Sequence, residues 1–299
     1  RAKKQIRRAF GYYVAPSLLS EIERNGDRLK LGGDVRRITV LFSDMRGFTS
    51  LSEKLEPRRI LTILNTLFGA LGHEIIGRMG TIDKFIGDAI MAFWNAPVDV
   101  PDHERKALRA ALGMRQKLAE LNQGDAFHLK ADKAAVAELG IGIGISTGEA
   151  LVGNMGLETR FDYSALGDTV NVASRVESAC KEVGYDILVA DPVRLIVSDF
   201  AFLEAGALAL KGKAERVVIY LLVGDAALAK SGAFSLLKAT HAEALEALRT
   251  GRDTSGAIAE CLALSAKLEP GLRKFYEQLP SRRMDFVSTE TVVPITPAA

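Results

Sequence analysis

Gly80-Thr81-Ile82-Asp83-Lys84-Phe85-Ile86-Gly87-Asp88-Ala89-Ile90-Met91-Ala92-Phe93-Trp94 holds two short apolar runs, Gly80 to Phe85 and Ala89 to Trp94, separated by Ile86-Gly87-Asp88. Apolar, β-prone residues on both sides of a glycine break predict a β-hairpin. Upstream, Val35 to Phe42 alternates and then turns wholly apolar, which predicts a strand entering a core. Between them Pro57 opens a helix over Arg58 to Arg78, with Ile60, Leu64, Leu67, Phe68, Leu71 and Ile75 on one face.

Downstream, Asp102 to Leu121 reads as a second helix with Asp102 as its cap. Gln123 to Glu138 is a loop or short helix, and Leu139 to Ser146 a glycine-bearing strand. Thr169 to Lys181 is a third helix, with Asp168 as N-cap, and Ile187 to Ala190 a strand. Phe200 to Leu210 and Val217 to Val223 form a closing antiparallel pair. This order is the split βαβ pattern of an α+β fold, a ferredoxin-like βαββαβ core with extra strands, followed by a helical C-terminal extension. The predicted domains are an N-terminal helix and connector (1–34), a core domain (35–224), a helical extension (225–280) and a flexible tail (281–299).

The topology gives two acids a meaning. Asp44 ends the run Val40-Leu41-Phe42-Ser43-Asp44-Met45-Arg46-Gly47-Phe48-Thr49, and Asp88 sits in the hairpin. In a split βαβ sheet the first and third strands are neighbours, so the two carboxylates meet. Paired carboxylates repel unless something neutralises them. Mg²⁺ does so with one or two carboxylates plus substrate phosphates, which points to phosphoryl chemistry.

Bulk properties constrain partners little. The 299 residues are 48% hydrophobic and 25% charged, and 39 basic against 37 acidic residues leave a net charge of +2. Arg1, Lys3, Lys4, Arg7 and Arg8 form a basic start without an acid, which reads either as a segment facing anionic lipid or as a solvated helix start. Phe10, Val14, Leu18, Leu19 and Ile22 follow at helical spacing, interrupted by Pro16, as in a helix that pairs with its twin. Two distant cysteines, Cys180 and Cys261, make no disulfide framework and suit a reducing, cytoplasmic setting. No apolar run is long enough to span a membrane. The chain begins with arginine rather than methionine, so a fragment of a longer protein is expected; the basic start and the cysteine usage add the expectation of a cytoplasmic domain of a membrane-associated protein.

Three blocks together resemble class III nucleotidyl cyclases: Phe42-Ser43-Asp44-Met45-Arg46-Gly47-Phe48-Thr49, Lys84-Phe85-Ile86-Gly87-Asp88, and Tyr163-Ser164-Ala165-Leu166-Gly167-Asp168-Thr169-Val170-Asn171-Val172-Ala173-Ser174-Arg175. The likeness covers roughly residues 35 to 224. It implies a catalytic domain that works as a homodimer with ATP or GTP at the interface. Asp44, Asp88 and the Met45 carbonyl match the family's ligands for two Mg²⁺ or Mn²⁺ ions per site. Asn171 and Arg175, four apart on one helix face, match the residues that orient the ribose and stabilise charge on the α-phosphate. Lys213, in Lys211-Gly212-Lys213, matches a cation over the triphosphate. Separately from the likeness, the basic start and the leading helix suggest an upstream membrane or sensor domain.

Base choice falls to Lys84 and Ser164, which stand where the family reads the purine. An ammonium at Lys84 donates to adenine N1, whereas guanine N1 carries a hydrogen. An unpaired donor in a closed site costs about 1–3 kcal/mol. Ser164 stands where adenylate cyclases commonly carry aspartate; its hydroxyl can accept from the adenine 6-amino group. This likens the chain to the subgroup with Thr or Ser there and predicts an adenylate cyclase. The rivals are a guanylate cyclase and a nucleotide-binding module without turnover. An RNA-binding module of the same topology lacks the stacking aromatics it needs, and no nucleic acid is expected as a partner.

Other signals carry less. Gly140-Ile141-Gly142-Ile143-Gly144 lies within a strand, so its glycines serve packing rather than a dinucleotide turn. Gly32-Gly33-Asp34 lacks the setting of a diguanylate cyclase signature. His73, His103, His128 and His241 show no ligand spacing. Thr147-Gly148-Glu149 and Gly153-Asn154-Met155-Gly156 read as turns shaping the site.

Overall fold

A computed structural model describes residues 31–130, 138–157, 159–209, 216–282 and 292–293. The leading helix and the Lys211-Gly212-Lys213 turn therefore lie outside the described residues. The chain divides into two compact units, Arg1–Ile141 with Thr147–Asn171, and Gly142–Ser146 with Val172–Ala299.

The first unit holds β1 (Gly32–Arg46), α1 (Phe48–Ser52), α2 (Pro57–Ile76), β2 (Thr81–Ile86), β3 (Ala89–Trp94) and α3 (His103–Gln123). It also holds most of β4 (Gly140–Leu157), all of β5 (Arg160–Leu166) and the first turn of α4 (Asp168–Val183). The expected hairpin is present. β2 and β3 pair antiparallel up to Ile86↔Ala89, and Gly87 turns at φ 61, a conformation side-chain-bearing residues rarely adopt. β3 also pairs antiparallel with β1, through Phe42↔Met91 and Ser43↔Ile90. The first and third strands are thus neighbours, as the split βαβ reading requires. Ile38, Val40, Leu41, Ala92, Phe93 and Trp94 are fully buried there. Helix α2 starts with Pro57 in its first turn and buries Ile63, Leu67, Leu71 and Ile75. Its buried stripe therefore runs through Ile63, which the sequence reading omitted.

Three local readings change. Asp102 does precede α3, but at φ 53 and without a side-chain capping bond. Gly167, not Asp168, precedes α4; Asp168 is its first residue and Asn171 N–H donates to Gly167 O at 3.2 Å. The two segments read as turns are strand. β4 runs on through Thr147-Gly148-Glu149 and Gly153-Asn154-Met155-Gly156, and its end pairs antiparallel with β5, from Leu151↔Leu166 to Leu157↔Arg160. Gly153 is needed there because a Cβ would sit 2.1 Å from Gly32 O.

The second unit holds residues 142–146 of β4, the rest of α4, β6 (Ile187–Ala190), α5 (Asp191–Ile196), β7 (Ala201–Ala209) and β8 (Arg216–Gly224). Helices α6 (Ala226–Ala229), α7 (Gly232–Arg249), α8 (Ser255–Leu268) and α9 (Arg273–Gln278) follow, with the two-residue strand β9 (Val292–Val293) beside β7. The β4 segment pairs parallel with β6, and β8 lies antiparallel to both β6 and β7. Gly144 lets α4 approach, since a Cβ there would lie 2.1 Å from Glu177 N and 2.5 Å from Ala173 O.

The helical extension docks through a buried polar chain. His241 Nε2 lies 2.9 Å from Glu204 O, a pure acceptor, so Nε2 carries the proton. Nδ1 then accepts from Tyr276 Oη at 3.1 Å, and Tyr276 is also hydrogen-bonded to Cys261. Burial pushes the His241 imidazole down to about 4, so it stays neutral. Among the described residues no helix is long and apolar enough to cross a membrane.

Candidate active site

The antiparallel register of β1 with β3 carries Asp44 to the hairpin turn that bears Asp88. The two carboxylates come within hydrogen-bonding reach. Burial, and next the Asp44 carboxylate, push Asp88 up to about 6, while Asp88 accepts from its own and the Met45 main-chain N–H. Met45 itself is buried, which leaves its main chain as the polar element it offers. The groups brought together are two hard carboxylates. Among the described residues no three acid, histidine or cysteine side chains gather around one point. Such a sparse set of hard oxygens fits a cation that keeps waters and takes substrate phosphates, rather than one caged by protein alone.

A second cluster forms where β2 leaves regular pairing. Ile82 faces Ala92 and Lys84 faces Met91, so Asp83 is an extra residue on β2. A bulge re-aims side chains that would otherwise alternate across the sheet. Asp83 and Lys84 thereby meet, with Lys84 Nζ 3.5 Å from Asp83 Oδ1. Ser164 Oγ, from β5, donates to Asp83 Oδ2 at 2.5 Å. Lys84 and Ser164, 80 residues apart in sequence, are thus joined by Asp83, which the sequence reading passed over. Burial raises the Asp83 carboxyl, and the Ser164 hydrogen bond and the Lys84 charge oppose that rise. The signal available in sequence was an acid at an apolar-strand position, ambiguous without its partner.

Asn171 is exposed and Arg175 half-buried, four residues apart on α4. Thr169 Oγ1 ties the first turn of that helix to β4 by donating to Glu149 O at 2.7 Å. Lys213 lies outside the described residues.

Comparison with known proteins identifies the family. Residues 33–224 match the family model of the adenylate and guanylate cyclase catalytic domain. An adenylate cyclase of Anabaena cylindrica is 36% identical over 221 residues, covering 71% of this chain and 42% of the relative. The chain thus spans well under half the length of that relative. Among solved structures, the guanylyl cyclase Cya2 is 36% identical with a TM-score of 0.57, over 65% of this chain and 95% of that one. The adenylyl cyclase CyaB from P. aeruginosa is 32% identical with a TM-score of 0.56, over 65% and 97%. The fold, the meeting of the two acids and the match across residues 33–224 make this chain a member of the adenylate and guanylate cyclase catalytic domain family.

Proposed function

We propose that this domain is an adenylate cyclase, converting ATP to 3′,5′-cyclic AMP and pyrophosphate. The observation that carries the reading is the convergence of Asp44 and Asp88, which leaves two carboxylates in mutual repulsion. Asp44, Asp88 and the Met45 carbonyl would hold two Mg²⁺ or Mn²⁺ ions. Such ions supply Lewis acidity at the phosphates and ease deprotonation of the ribose 3′-hydroxyl. The 3′-oxygen, its proton passing to water or to phosphate, attacks the α-phosphorus in line, and the bond to the bridging oxygen of pyrophosphate breaks.

The chain's other residues bind and orient. Asn171 positions the ribose. The Arg175 guanidinium, always charged and bidentate, offsets charge growing on the α-phosphate. Lys213 neutralises the triphosphate. Lys84 and Ser164 read the base, Lys84 toward the adenine N1 acceptor. The acids come from one copy of the chain and the remaining residues from a second, so a homodimer has two equivalent sites. Upstream, a membrane or sensor region would deliver the input, with this domain on the cytoplasmic side.

A guanylyl cyclase stands among the similar structures, so likeness alone does not choose the base; Lys84 favours ATP. The test is the purified 299-residue chain with ATP or GTP and Mg²⁺ or Mn²⁺, its product identified by mass. Cyclic AMP formed faster than cyclic GMP is expected. Faster turnover of GTP would make it a guanylate cyclase, and no cyclic nucleotide with Mn²⁺ would make it a binding module.

A further inference from the structure

Asp83 has no part in the reaction as read above, yet its placement is specific. Its side chain is 1% exposed. It occupies a break in the β2–β3 register, which brings it beside Lys84. Oδ2 accepts from Ser164 Oγ at 2.5 Å, and the neighbouring Lys84 ammonium favours the ionised carboxylate. Oδ1 has no hydrogen-bond partner among the described residues, and the Lys84 ammonium at 3.5 Å balances its charge.

The consequence lies in the Ser164 hydroxyl. A free hydroxyl rotates, donating its hydrogen or presenting a lone pair, and so accepts either kind of partner. Here the hydrogen is committed to a buried carboxylate that can only accept. Ser164 is left with lone pairs alone for any third group. Adenine presents an amino donor at C6, and guanine a carbonyl acceptor. Against a lone pair the first makes a hydrogen bond and the second is repelled. We infer that Asp83 is a positioning residue that selects a 6-aminopurine by locking the Ser164 hydroxyl as an acceptor. The inference rests on the reading of Lys84 and Ser164 as the purine contacts. It also accounts for how serine serves where the family commonly keeps aspartate: the carboxylate stands one residue behind, and the hydroxyl relays its acceptor character.

The test is the ratio of kcat/KM for ATP to that for GTP, a readout that general loosening of the fold would leave unchanged. The wild-type chain, Asp83→Asn, Ser164→Ala and the double variant are compared, with circular dichroism confirming each fold. The near-isosteric amide can turn its NH₂ toward Ser164 and release the hydroxyl. Asp83→Asn is expected to lower the ratio about tenfold, the effect of one hydrogen bond. In the Ser164→Ala background the same change should move it by less than about twofold, because the relay is gone. Equal loss for both nucleotides in Asp83→Asn, or an undiminished shift in the Ser164→Ala background, overturns the proposal. Should Asp83→Asn not fold, Ser164→Ala decides alone: an unchanged ratio refutes the relay. Failure of the underlying reading shows separately, as GTP preference or inactivity of the wild-type chain.

Discussion

Asp44→Asn should abolish cyclisation and yet stabilise the metal-free protein at neutral pH. The ordinary carboxyl value of 3.8 rises to about 6 at Asp88, first through burial and second through the Asp44 charge. Folded protein therefore holds that proton more tightly than unfolded protein, and stability falls as pH climbs from about 4 through 6. At 1.36 kcal/mol per pH unit the full rise corresponds to about 3 kcal/mol. Asp88 is only half-buried, and screening reduces this to about 1.5 kcal/mol. The Asp44 charge is the lesser of the two main causes, which leaves about 0.5 kcal/mol for the substitution to relieve, or about 1–2 °C in melting temperature. The gain should appear in EDTA at about pH 7.5 and vanish at about pH 4, where Asp88 is protonated in both proteins. With excess Mn²⁺ the order should invert, because wild type gains stability by binding and the variant does not. A variant no more stable than wild type in EDTA at the higher pH, or equally favoured at the lower one, would refute the argument that the two acids strain each other.

The remaining predictions test the shared site and the scaffold. Asp44→Ala mixed with Arg175→Ala should regain cyclase activity: equal mixing makes half the dimers mixed, each with one intact site, so about a quarter of the wild-type rate. An inactive mixture, with dimers confirmed by light scattering, would remove the two-copy site. Gly144→Ala should cost about 2–3 kcal/mol in denaturant unfolding, since its Cβ meets α4 backbone rather than a yielding side chain. His241 falls from 6.5 to about 4 in the folded protein. Its contribution is thus present above about pH 6.5 and is lost as pH falls toward 4, by up to about 3 kcal/mol. His241→Gln should flatten the acid limb of a melting-temperature profile; an unchanged limb would show that other groups govern it.

The split in what sequence revealed follows the range of the interactions involved. The β2–β3 hairpin, the two long helices and the β7–β8 pair rest on local periodicity and on residues such as Gly87 and Pro57, and were legible. The meeting of Asp44 with Asp88 was legible too, because topology alone makes the first and third strands neighbours. The continuation of β4 was not. Gly148, Gly153 and Gly156 read as turn residues, whereas Gly153 is small because the start of β1 crosses 2.1 Å from where its Cβ would be. That constraint comes from a strand more than a hundred residues earlier.

Asp83 is the sharper case. By period it is an ordinary position on an apolar strand, and the motif resemblance falls on its neighbour Lys84. What distinguishes it is a bulge and a hydrogen bond to Ser164, 81 residues away. The two readings of Ser164 follow from that difference. As a sequence position it is a hydroxyl free to donate or accept; in the fold its hydrogen goes to Asp83, and under the proposed relay only its lone pairs are left for a purine. Under the proposed relay, selectivity is a property of the pair, and a serine at this position without an acid behind it should read purines less strictly.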